Sequence, residues 1–163
     1  EEISRLLPVV RTLREKLSIP LSVDTFRAET IRVMLAEGVD IINDVTALGD
    51  HDSLHHLANS KAAVVLMHML GGPHKMHLKG DYRAEGGITR SVTTHLLKRA
   101  EYCLAAGITP ERIILDPGFG FAKHYQRYLS IKESNRLRDN EEKITVGKSW
   151  LPPNPSIIMG YSV

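Results

Sequence analysis

The chain has 163 residues, of which 42% are hydrophobic and 25% charged, with a formal net charge of +2. That balance supports one packed core and excludes a disordered chain, while the scattered basic residues exclude a nucleic-acid stripe or a membrane-surface patch. No apolar run approaches the roughly 20 residues a bilayer span needs, no basic-then-apolar leader opens the chain, and one cysteine, Cys103, rules out an internal disulfide framework, so the expected compartment is the cytoplasm.

Residues 1–17 read as an amphipathic helix with Ile3, Leu6, Leu7, Val10, Leu13 and Leu17 on one stripe. Ile19 to Thr25 follows as a strand ending in Asp24, with Thr25 expected to cap the next helix. That helix, about Arg27 to Glu37, turns Ile31, Met34 and Leu35 inward and stops at Gly38. Val39 to Ile42 reads as a second strand closing in Asn43 and Asp44. A short helix spans about Asp52 to Asn59, and the wholly apolar Ala62 to Met67 is a third strand, ending at His68. Residues 70–87 form a long polar loop of a length usually reserved for function. A helix from Ile88 to Ala106 stops at Gly107, Thr109-Pro110-Glu111 turns, and Ile113-Ile114-Leu115 forms a strand ending in Asp116. Beyond Lys123 a helix to Leu137 and a weaker strand over 143–147 are expected. Residues 150–163, with Trp150 and three prolines, lose all periodicity and read as a divergent tail on a domain of residues 1–149. The chain reads as cut at both ends.

Alternating helix and strand argues for parallel βα units, about five of them, where a complete (β/α)8 barrel takes about eight and roughly 250 residues. The expected fold is a partial TIM-type barrel; a small doubly wound sheet is the alternative, disfavoured because no glycine fingerprint follows the first strand. Asp24, Asn43, His68 and Asp116 each end a different apolar strand, and in a parallel barrel those ends converge on one mouth. After Asp116 the segment Pro117-Gly118-Phe119-Gly120-Phe121-Ala122-Lys123 pairs glycines, which let backbone approach a ligand, with phenylalanines that are unusual in a solvated turn.

Four motifs in this order, SVDT at 22–25, IIND at 41–44, LMHM at 66–69 and LDPGFGFAK at 115–123, resemble the dihydropteroate synthases of folate biosynthesis. The resemblance runs over about residues 1–131. It implies a (β/α)8 barrel transferase that joins para-aminobenzoate to a dihydropterin diphosphate, releasing pyrophosphate, with Mg2+ present and with a homodimer as the expected assembly. It puts Asp24, Asn43 and Asp116 on the pterin ring, Met67 against its face, and Phe121 and Lys123 on the aminobenzoate side. Such a donor-rich edge suits carboxylates, which accept in pairs, and an asparagine, which both donates and accepts. No protein nucleophile is implied, because the leaving group is already good.

Departures from the pattern accompany the match. The family's first two strands with their asparagine and arginine loops, and its final strand, have no counterpart here, so no metal ligand is assigned. Trp150 and Leu151 stand where arginine and lysine are expected. An incomplete chain, inactive alone, is therefore expected; the alternatives are the pterin-binding domain of a methyltransferase, which Phe119-Gly120-Phe121 disfavours, and a non-catalytic remnant. His68 reads as strand-end packing, and His51, His55, His56, His74 and His77 as surface residues rather than a zinc site. Asp44 should point to the opposite side of its strand from Asn43, as a helix-start or solvent carboxylate, and Asp40 should lie on the surface.

Overall fold

In the computed structural model the described residues are 1–69, 82 and 86–118. Helix α1 (Glu2–Lys16) leads to strand β1 (Ser22–Asp24), helix α2 (Ala28–Ala36), strand β2 (Ile41–Asp44), helix α3 (His51–Ala58), strand β3 (Ala63–Met67), helix α4 (Ile88–Ala105), a 3-10 turn (Pro110–Arg112) and strand β4 (Ile113–Asp116). The strands are all parallel and lie in sequence order, β1-β2-β3-β4. A doubly wound sheet reverses its strand order part way across, whereas a barrel adds each strand beside the last. The observed order is the barrel's, and four strands make an arc of one.

Side chains alternate across each strand, and the two faces of the arc have different company. Val23, Ile42, Val64, Leu66 and Ile113 point to the helices and join Val10, Ile31, Met34, Leu57 and Cys103 in one buried cluster. The whole helix layer thus covers a single face. The other face carries Ile41, Ala63 and Met67, which are buried but lie outside that cluster. Branched residues fill the helix-facing positions because a parallel strand there must bury its side chains without polar partners.

Local signals set the ends of the elements. Asp50 caps α3, its carboxylate accepting from the amides of Asp52 at 2.7 Å and Ser53 at 3.2 Å. Gly38 and Gly107 follow α2 and α4 with φ of +79° and +90°, a left-handed geometry that a Cβ would strain. Arg112 pins the turn before β4, donating to the carbonyls of Ala62 at 2.9 Å and Leu57 at 2.8 Å.

Four expectations need correction. Thr25 does not cap α2: the residue before the helix is Arg27, with no side-chain cap, and Thr25 instead accepts from the Arg27 amide within the turn. Leu17 is not on the buried stripe of α1, being 42% exposed just past its end. Asp44 does face away from Asn43, yet it is fully buried rather than solvated. Asp40 keeps part of its surface but is engaged, pairing with Arg14 and accepting from the Leu21 amide at 2.7 Å. The expected helix past Lys123, the strand over 143–147 and the tail lie outside the described residues.

Candidate functional site

The strand register decides which polar groups share a face. Asp24 lies beside Asn43, Asn43 beside Val65, and Met67 beside Asp116. Val65 and Met67 are two residues apart on β3 and point the same way. Asp24, Asn43, Met67 and Asp116 therefore project from one face, opposite the helices, at the carboxyl edge of the sheet. Parallel barrels carry their chemistry at that edge. Phe121 and Lys123 lie outside the described residues.

The pair Asp24 and Asn43 is joined directly: the Asn43 Nδ2 donates to Asp24 Oδ2 at 3.0 Å. One carboxylate oxygen and the Asn43 carbonyl oxygen are left to face a ligand, together with the second amide proton. Burial against the sheet pushes the Asp24 carboxyl above the ordinary aspartate range, the Asn43 hydrogen bond opposes that rise, and the negative charge of Glu2 adds to it. Asp116 is held from the other side. Its Oδ1 accepts from the Gly118 amide at 2.7 Å, and its carbonyl accepts from the His68 amide at 2.8 Å, continuing the β3–β4 ladder past Met67. Gly118 has φ of +66°, so the turn that folds back onto Asp116 uses a left-handed residue there. Met67, 3% exposed, supplies an apolar floor between the polar groups.

The segments immediately following Asp24 and Asn43 are fixed from the helix side. Thr25, next to Asp24, is 3% exposed, and its amide donates to the Asn43 carbonyl at 3.0 Å. Its hydroxyl donates to Glu2 Oε1 at 3.0 Å, while Arg27 and Thr30 donate to Glu2 Oε2, both at 2.9 Å. Asp44, next to Asn43, accepts from the Thr46 amide and hydroxyl at 2.7 Å each and from the Leu48 amide at 3.1 Å. These bonds hold Ala47 and Leu48 in left-handed conformations, both with φ of 54°. Arg99 of α4 then donates to the carbonyls of Ala47, at 2.7 Å, and Leu48. Burial raises the Asp44 carboxyl above its usual range, although its hydrogen bonds and Arg99 pull the other way. Glu2, Asp44 and Arg99 are the supporting residues that sequence reasoning missed; only the adjacency of Thr25 and Asp44 to ligand positions hinted at them.

The remaining polar residues are elsewhere. His68 is 2% exposed and points to the helix side, edge-on to His95 with ring centroids 5.1 Å apart, in keeping with packing. A hollow of about 430 Å3 beside it, lined in part by Arg90, His95 and Lys98, lies on that helix side and not over Asp24 and Asn43. His51 and His55 are exposed on α3 and His56 partly so. Among the described residues no three His, Cys, Asp or Glu side chains gather closely enough to hold a metal ion. No described helix is long and apolar enough to cross a membrane.

Comparison with known proteins identifies the family. The family model described as pterin binding enzyme matches residues 1–150. The dihydropteroate synthase of Synechocystis sp. is 36% identical over 132 residues, which cover 80% of this chain and 45% of that protein. The dihydropteroate synthase of Escherichia coli is 34% identical over 131 residues, again 80% of this chain and 45% of the other. This chain thus spans about half the length of these relatives. Among solved structures, dihydropteroate synthase from Stenotrophomonas maltophilia superposes with a TM-score of 0.77 at 31% identity, covering 85% of this chain and 52% of that one. The Xanthomonas albilineans enzyme, solved in complex with 7,8-dihydropteroate, gives 0.71 at 34% identity, with 85% and 51% covered. With a family match over nearly its whole length and the fold of these solved structures, this chain belongs to the pterin-binding enzyme family.

Proposed function

We propose that this chain forms the pterin-holding part of a dihydropteroate synthase. The observation that carries the reading is the shared face of Asp24, Asn43, Met67 and Asp116 at the carboxyl edge of the arc. In this reading the Asp24 and Asp116 carboxylates accept from the amino and ring N–H groups of the pterin, Asn43 meets its mixed donor and acceptor edge, and Met67 lies under the ring. A ring lacking those groups would leave buried polar atoms unpaired and be rejected. Phe121 and Lys123 serve the para-aminobenzoate side. The amine nitrogen attacks the pterin methylene carbon, the carbon–oxygen bond to the diphosphate breaks, the electron pair leaves with pyrophosphate, and the amine releases a proton. The described residues contribute by fixing the pterin so that the methylene lies in line for attack.

Magnesium, which the resemblance implies, finds no fitting ligand set among the described residues, and no step is routed through it. The proposed compartment is the cytoplasm, supported by the lone, buried Cys103 thiol, and the proposed assembly is a homodimer. The methyltransferase alternative is less favoured because the relatives named above are dihydropteroate synthases.

The test is calorimetry with a soluble pterin on the wild type, Asp24→Asn and Asp116→Asn. Loss of a hydrogen bond to a charged group is worth about 1.5–3 kcal/mol, so each variant should bind roughly ten- to a hundredfold more weakly; unchanged affinity in folded variants would overturn the reading. Pyrophosphate release from the pterin diphosphate and para-aminobenzoate should be negligible with this chain alone. Turnover at an ordinary enzyme's rate would refute the view that it supplies only part of the site.

A further inference from the structure

Glu2 sits on α1, in the helix layer, and its carboxylate takes hydrogen bonds from three side chains of the segment that begins one residue after Asp24. Thr25 and Thr30, two of the three donors, are 3% and 2% exposed, and Arg27 is the third. Thr25 is the centre of this clamp. Its hydroxyl donates to Glu2 and accepts from the Arg27 amide at 3.3 Å, while its own amide donates to the Asn43 carbonyl. A shift of Thr25 therefore moves both the carboxylate before it and the backbone of Asn43. The charge of Glu2 is itself well secured. Burial alone would raise its pKa, but hydrogen bonds from Thr30, Arg27 and Thr25 outweigh that and hold it below the usual glutamate range.

We infer that Glu2 is a positioning residue for the pterin site, locking the turn after Asp24 through Thr25 so that Asp24 and Asn43 keep their mutual geometry. The inference rests on the pterin reading given above. Ligands held by a fixed supporting group lose affinity when that group goes, even though it touches nothing on the ligand. The negative charge has a second effect, since it disfavours ionisation of Asp24 from behind.

The experiment compares the full chain with Glu2→Ala, Glu2→Gln and Asp24→Asn. It measures affinity for a soluble pterin by calorimetry and the titration of the Asp24 carboxyl carbon by nuclear magnetic resonance, with thermal unfolding as the control. Glu2→Ala should weaken pterin binding by about 3- to 10-fold, the modest end of supporting-group effects. Glu2→Gln, which keeps an acceptor for the threonines, should recover part of that loss. Both should lower the Asp24 titration midpoint, because the nearby negative charge is gone. A residue that merely stabilised α1 would lower the unfolding temperature without weakening pterin binding, and the Asp24 midpoint checks only that the Glu2 charge reaches Asp24. Unchanged pterin affinity in folded variants overturns the inference; if Glu2→Ala does not fold, Glu2→Gln decides alone. Should Asp24→Asn leave pterin affinity untouched, the pterin reading fails by itself, and the clamp is then judged without ligand by the Thr25 and Asn43 backbone resonances, which Glu2→Gln should shift.

Discussion

Replacing Asp44 should unlatch the loop that follows Asn43, and the cost can be worked from its three bonds. In Asp44→Asn the Oδ1 contacts with the Thr46 amide and hydroxyl survive, but an NH2 group then meets the Leu48 amide, 3.1 Å away in the present structure. Leu48 is 1% exposed, so that amide finds no water. An unmet buried donor costs about 1–3 kcal/mol, and removing a carboxylate whose burial was itself unfavourable returns a part, leaving a net loss of about 1–2 kcal/mol. Asp44→Ala strips all three acceptor contacts and leaves Ala47 and Leu48 in left-handed conformations that cost about 1–2 kcal/mol each without support; the expected loss is about 3–4 kcal/mol. Urea unfolding at neutral pH measures both. The pH dependence supplies a second check. The folded pKa of Asp44 is raised, so the folded chain binds more protons than the unfolded one, and stability falls as pH rises from the unfolded value of about 3.9 through the raised one. Relative to Asp44→Asn, which cannot titrate, the wild type should gain as pH is lowered through that window. An alanine variant within about 0.5 kcal/mol of wild type, the usual range of a surface change, would refute the latch.

Three further outcomes are expected. Pterin affinity should fall with acid through the raised pKa of Asp24, hence at a higher pH than an ordinary aspartate would give; Asn43→Ala, which removes the bond that lowers this pKa, should move the midpoint further up in a carboxyl titration. Cys103, fully buried with its thiol pushed up to about 11 by burial, should react with a thiol reagent at neutral pH only as fast as the chain opens, and a stoichiometric fast phase in native buffer would contradict that. Arg112→Ala should cost about 2–3 kcal/mol in urea unfolding, because the Ala62 and Leu57 carbonyls lose a charged donor; a change under about 0.5 kcal/mol would show those carbonyls to be satisfied otherwise.

The strand ends were legible because their signal is local and one-dimensional. An apolar run that stops at a carboxylate or amide marks both the strand and the edge it reaches, and Asp24, Asn43 and Asp116 stand out that way, whereas Met67 came only with the family resemblance. Even the facing of Asp44 followed from alternation alone. Its burial did not, since nothing in the word Asn-Asp says that a helix 50-odd positions later will supply Arg99 to the loop beyond it. Glu2 was hidden for the same reason: its partners are Thr25, Arg27 and Thr30, and an acidic residue in a first helical turn looks like ordinary dipole complementation. Thr25 was misassigned because a threonine before a helix has two uses, cap and turn, and only the position of Arg27 tells them apart. Leu17 fitted the helical stripe by spacing, but the helix stops at Lys16, and a stripe has no meaning past the last turn.

The strictly consecutive strand order also sets a timetable for folding. Among the described residues each strand after β1 pairs with the one before it in the chain, and closure entropy grows only slowly along the series. The joins are not equal, however. β1 to β2 and β2 to β3 are bridged by the short helices α2 and α3, whereas β3 to β4 must enclose residues 68–112, the 18 of α4 among them. The ladder that sets Asp116 beside Met67 therefore carries the largest closure cost of the three, by roughly 0.6 kcal/mol per doubling of the enclosed length.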